Sequence, residues 1–239
     1  MKHVDEQHPS NLPAGVDGAN RAGDPTHGSG AGRPPGMETT RLEAFSDGVF
    51  AVAITLLALN LGVPATRELQ QGHGLTVALL QQWPAYLGYA LSFLTILIMW
   101  VNHHTLFHLI ARTDHLFLLL NGLLLLVVTA MPFATALLAT YLLHPERRVA
   151  MVVYSGLSLV MATAFNRMWA YASHGGRLLD PAANLALVRG VTRAYRFGPL
   201  LYLIALALAF WSATASLTLC ILLAIFFALP STVTRMMDM

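Results

Sequence analysis

Charge is what this chain has least of. Of its 239 residues only 11% are Asp, Glu, Lys or Arg, against 56% apolar. Soluble domains carry about 25% charged residues, so the deficit excludes an ordinary soluble domain and points to an integral membrane protein. A formal net charge of +2 gives no electrostatic case for nucleic acid as a partner. There is one cysteine, Cys220, inside an apolar run. Alone it excludes an intrachain disulfide and a thiolate metal cluster, and it reads as a small core residue. Familiar signatures are missing too. The chain has no TVGYG filter, no GxGxxG, no P-loop, no GxSxG, no arginine-rich voltage-sensing helix and no evident two-half repeat.

The first 40 residues are a different material from the rest. Residues 1–37 hold seven Gly and five Pro with scattered charge and no apolar run. Such a segment cannot bury enough surface to offset chain entropy, so 1–40 is expected to be a disordered arm. It lacks the apolar core of a signal peptide, so the first apolar segment is expected to be retained as a spanning helix.

What the chain has is long apolar runs. A spanning helix needs about 20 such residues, and six segments qualify: 42–63, 81–110, 116–143, 149–170, 197–213 and 214–232. The last two are separated by a turn expected near Ser212–Ser216. No strand pattern competes. The expected fold is therefore an all-α, six-helix membrane domain over 41–232, with a short tail at 233–239. Six crossings place Lys2, Arg21, Arg33, Arg41, Arg112, Arg167, Arg177, Arg189, Arg193, Arg196 and Arg235 on one side and only Arg67, Arg147 and Arg148 on the other. The positive-inside rule then makes both termini cytoplasmic in a cell's inner (plasma) membrane. The stretch 177–196 reads either as a basic amphipathic helix at that interface or as an ordinary charged loop. Pro84, Pro132 and Pro199 would start or kink helices, Asn121 and Asn166 read as helix–helix glue, and Arg67 and Glu68 would flavour an outer vestibule.

The first apolar segment carries the candidate site. Positions 41, 45, 48, 52, 55 and 59 alternate in steps of four and three, a heptad seam, and hold Arg41, Phe45, Gly48, Val52, Thr55 and Leu59. Such a stripe can face copies of itself around an axis, or the helix can be buried on every side. Asp47 falls on another face. A carboxylate within a membrane helix is costly unless paired or wetted, and marks a functional site. It lies about 9 Å past Arg41 at 1.5 Å per residue, and His104 lies about 12 Å before Arg112 on the returning helix. The matching depths predict a contact between Phe45-Ser46-Asp47 and Asn102, His103 or His104. Trp100, His104 and His108 share one face at i, i+4, i+8. His104 and His108 have helical metal-ligand spacing. His115, His144 and His174 are too scattered to add histidine boxes, so no metal or cofactor is expected.

The pattern RxxxFSDG at Arg41, Phe45, Ser46 and Asp47, followed by a β-branched, Ala-rich run, resembles the first helix of bacterial homologues of the lysosomal potassium channel family (transmembrane protein 175). The resemblance extends to the W-x-N-H-H-x-x-x-F/H cluster of Trp100, Asn102, His103, His104 and His108. It implies a homotetramer whose first helices line a pore without a carbonyl filter and favour K+ over Na+. Carried over by position, it implies a constriction at Val52, a hydroxyl ring at Thr55 and an outer apolar ring at Leu59. Arg41, Phe45, Ser46, Asp47, Trp100, Asn102, His103 and His104 become the clamp holding that helix. Two other readings stand beside a channel. A proton-coupled transporter would use Asp47 with His103 and His104, and a membrane enzyme would require a histidine-bound metal.

Overall fold

A computed structural model describes residues 35–64 and 74–229. Residues 1–34 of the arm expected over 1–40, the vestibule pair Arg67 and Glu68, and the tail 233–239 lie outside the described residues. Eight α-helices are present among those described: α1 Pro35–Ala58, α2 Leu75–Gln81, α3 Trp83–Phe107, α4 His115–Tyr141, α5 Arg147–Ser173, α6 Leu185–Arg196, α7 Gly198–Trp211 and α8 Ala213–Ala228. An isolated bridge between Ile110 and Leu179 joins the two loops that follow α3 and α5.

Each apolar segment expected from the sequence has a helical counterpart, with shifted ends. α1 starts at Pro35, inside the stretch assigned to the disordered arm, because proline's fixed φ and missing N–H suit a first helical turn. It also stops at Ala58, so Leu59 and Asn60 form a turn, with the Leu59 N–H bonded to the Leu56 carbonyl at 3.2 Å. α3, α4 and α5 are long and apolar enough to cross a membrane, as is the continuous stretch Leu185–Trp211.

α7 and α8 meet at Ser212, whose extended backbone (φ −147°, ψ 110°) breaks the helix and whose hydroxyl accepts from the Ala215 N–H at 3.3 Å. The Ser216 hydroxyl donates to the Ala205 carbonyl at 2.7 Å, eleven residues back. That bond folds α8 against α7 as a hairpin. The stretch 177–196 contains the expected amphipathic helix as α6. Val188 and Val191 are buried while Arg189, Arg193 and Arg196 are exposed. Leu185, expected on the apolar face, is exposed at the helix start instead.

The core is the seam between α3, α4 and α5, closed by α8. Three of its buried polar residues bond to one another. Ser92, Thr135 and Tyr154 are buried side chains from α3, α4 and α5 in one hydroxyl line, with oxygens 2.6 and 3.2 Å apart. Pro84 and Pro199 sit at helix starts, whereas Pro132 lies inside α4. There the missing N–H frees one backbone carbonyl. The carbonyl of Pro132 itself accepts from the Asn60 amide at 3.0 Å, fastening the far end of α1 to α4.

Candidate pore helix and its clamp

α1 packs on α3 and α4 along one stripe only. Ser46, Phe50, Ala53 and Leu57 are fully or almost fully buried, and they recur at helical spacing. The heptad positions within α1 lie on the opposite side, and Leu59 falls in the turn that follows it. Arg41, Phe45, Gly48, Val52, Thr55 and Leu59 are all exposed, with Val52 at 55% and Leu59 at 77%. One side of the helix is thus tethered to the rest of the chain and the other is bare. The Thr55 hydroxyl spends its hydrogen on the Val52 carbonyl at 2.8 Å, which leaves its oxygen lone pairs on the bare side.

The tether is polar at the Asp47 level. The Trp100 indole N–H donates to the Asp47 carboxylate at 2.8 Å. The Trp100 ring stacks on His104 at 5.7 Å and 17°. His104 Nδ1 lies 3.0 Å from the Glu43 carboxylate, but off the line a hydrogen bond requires. Glu43 and Asp47 are one turn apart on α1, and Trp100 and His104 are one turn apart on α3. Because the two helices run antiparallel, each turn up one matches a turn down the other. The expected imidazole partner of Asp47 is therefore corrected: Asp47 takes the indole, and the imidazole one turn away faces Glu43.

A second tether runs through α4. His103 Nε2 lies 2.9 Å from the Asn121 side-chain oxygen, which makes Nε2 the donor. The Asn121 amide donates to Ser46 Oγ at 3.0 Å, and Ser46 donates to the Leu42 carbonyl at 2.9 Å. All three side chains are at most 1% exposed. Phe50 packs against the His103 ring at 5.3 Å. The structure thus joins Ser46, Asp47, Trp100, His103 and His104 around α1, but not every residue assigned to the clamp. Asn102 faces away and accepts from the Tyr195 hydroxyl at 3.1 Å. Arg41 and Phe45 share the bare side, and Arg41 forms no ion pair among the described residues. Their heptad register puts them in line with Val52, away from α3. Glu43 and Asn121 were missed as site residues. Glu43 was legible as the i−4 neighbour of Asp47, whereas nothing in the sequence pairs Asn121 with Ser46.

At the loop before α4, Asp114 caps the helix by accepting from the Phe117 N–H at 2.9 Å and takes the Tyr171 hydroxyl at 2.5 Å. The Tyr171 bond holds its carboxyl below the usual carboxylate value, helped by the Phe117 N–H and by Arg177.

Comparison with known proteins gives consistent matches. Residues 41–132 match the family model described as the endosomal/lysosomal potassium channel TMEM175. A potassium channel of Chamaesiphon minutus is 54% identical over 198 residues, covering 83% of this chain and 97% of its own. One from Streptomyces collinus is 44% identical over 191 residues, with 80% and 91% covered. The endosomal/lysosomal proton channel TMEM175 of Gallus gallus is 33% identical over 69% of this chain, which spans only 34% of that longer protein. The crystal structure of a Chamaesiphon minutus homologue of the lysosomal potassium-selective channel TMEM175 superposes with TM-score 0.75 at 52% identity, covering 82% of this chain and 99% of that one. With near-complete coverage of relatives this similar, the chain belongs to the TMEM175 family of ion channels.

Proposed function

We propose that this chain is one subunit of a potassium-selective cation channel in which four copies of α1 surround a narrow apolar pore. The observation that carries the reading is the two-sidedness of α1. Every clamp contact lies on one side, Val52 and Thr55 stand on the other, and Leu59 is exposed in the turn that follows. Six crossings follow if α1 and the α7–α8 hairpin span the membrane beside α3, α4 and α5, with both termini cytoplasmic. Relatives named as potassium channels, similar over nearly their whole length, favour the same reading.

The proposed mechanism is selection by dehydration. A constriction of Val52 side chains offers no ligand, so an ion must shed part of its water to pass, and the ring closes by dewetting. Sodium holds its water more tightly than potassium and is penalised more. The Thr55 oxygens, one turn on, replace part of the lost hydration. The clamp keeps this stripe turned toward the axis.

Proton-coupled transport through Asp47 and the histidines is the competing reading. Its weak point is chemical. The chain from His103 through Asn121 and Ser46 ends on the Leu42 carbonyl, and an amide and a peptide carbonyl are poor relays for a proton. Purified protein in liposomes separates the readings. A potassium gradient should drive flux and a sodium gradient much less. Obligatory proton counterflow at fixed stoichiometry would overturn the channel.

A further inference from the structure

We propose that Glu43, His104 and His108 form a binding site for a divalent transition metal of the zinc class, tying the cytoplasmic end of α1 to α3. This revises the sequence-based expectation that no metal is held. One ligand atom from each of the three residues lies within 4.8 Å of the other two. The closest pair is His104 Nε2 and His108 Nε2, 3.0 Å apart. Tetrahedral zinc with Zn–N near 2.0–2.1 Å holds neighbouring nitrogens about 3.3 Å apart. The two nitrogens are therefore close to the separation that one shared ion requires.

The surroundings favour this use. His104 is held in place by the Trp100 ring stacked on one side, and His108 meets it edge-on with centroids 4.4 Å apart. Rings already ordered lose little freedom on binding. The Glu43 carboxylate, 3.0 Å from His104 Nδ1 yet out of line for a hydrogen bond, leaves that buried nitrogen without a proper partner. Rotation of the Glu43 side chain, whose ligand oxygen is already within 4.8 Å of the other two ligand atoms, would bring the carboxylate onto the metal as third ligand, with water in the fourth place. His108 is exposed, which gives the ion a way in. His104 in the last turn of α3 and His108 at its C-cap lie where the helix dipole favours a cation. The third ligand, Glu43, comes from α1, so an ion here links the two helices. The binding test below does not depend on the pore reading.

The full-length chain in detergent is titrated with ZnCl2 by calorimetry and with CoCl2 by visible absorption. The wild type is expected to bind one ion at this site and to show the d–d bands of a nitrogen–oxygen cobalt centre. His108→Ala and Glu43→Gln should each weaken binding by about tenfold or more and lose the bands. His144→Ala, at an isolated histidine, should change neither. His108 is exposed and Glu43→Gln keeps the side-chain shape, so both variants should fold. Zinc should also raise the Tm of the wild type but not of His108→Ala. Equal affinity in wild type and His108→Ala, or no binding by the wild type at about millimolar metal, overturns the site. So does a loss of affinity in His144→Ala as large as in His108→Ala.

Discussion

Replacing Asn121 by leucine tests the tether of α1 through α4. Asn121 is 1% exposed and spans two hydrogen bonds, 3.0 Å to Ser46 and 2.9 Å to His103. Leucine fills a similar volume and makes neither. Hydrogen bonds between membrane helices average about 0.6 kcal/mol and reach about 1.7. The His103 end costs more. Its ring is fully buried, its Nδ1 has no partner, and its Nε2–H would lose the only acceptor it has. A buried donor left unpaired costs about 1–3 kcal/mol. The total expected for Asn121→Leu is about 2–4 kcal/mol. Ser46→Ala alone should cost about 1 kcal/mol, through one lost bond and one unpaired amide hydrogen. Once Asn121 is leucine, the Ser46 hydroxyl has nothing left to join except its own helix, so adding Ser46→Ala should cost less than about 0.5 kcal/mol more. Such non-additivity is the signature of a shared contact. Equilibrium unfolding in mixed micelles, followed by tryptophan fluorescence, measures all three. An Asn121→Leu cost below about 0.5 kcal/mol, or additive effects in the double variant, would refute the tether.

Trp100→Phe keeps an aromatic ring over His104 but removes the N–H on Asp47, so it should cost about 1–3 kcal/mol in the same unfolding assay. A neutral result would separate Asp47 from Trp100. Val52→Phe should narrow the proposed pore and cut potassium flux in liposomes. Thr55→Val should lower the preference for potassium in bi-ionic reversal measurements, and an unchanged reversal potential would contradict the hydroxyl ring. The Asp114 carboxyl titrates below its ordinary value of 3.8 because the Tyr171 hydroxyl bonds its charged form. A depressed folded pKa stabilises the protein above the ordinary value, and that stability is lost as pH falls through the folded value. Asp114→Asn should therefore flatten the acid limb of Tm against pH below about pH 4, while an unchanged limb would remove Asp114 as its source.

Local spacing was enough to read most of α1. The heptad seam singled out Val52, Thr55 and Leu59; Val52 and Thr55 are exposed on the side of α1 away from the clamp, and Leu59 is exposed in the turn after it. Depth counting brought Asp47 level with the Trp100–His108 cluster, and that cluster is where its partner lies. Counting along one helix gives height but not rotation, so it could not choose between the Trp100 indole and an imidazole one turn away. Asn121 was legible as helix glue, but its partners come from two other helices whose relative register no local pattern encodes. The same limit hid the bond between Asn102 and Tyr195, 93 residues apart. Helix ends were set by backbone chemistry that hydropathy ignores. Proline lengthened α1 at its start, and α1 gave way to a turn at Leu59 although the apolar run continued.

Cysteine scanning tests most directly whether the bare side of α1 lines the conduction path. The chain has a single cysteine, so Cys220→Ser provides a thiol-free background. Thiol-directed cationic methanethiosulfonate should block potassium flux through Val52→Cys or Thr55→Cys in that background. It should leave flux unchanged at Leu126→Cys, an equally exposed position on α4. Block at Leu126 with none at Val52 and Thr55 would place the path elsewhere.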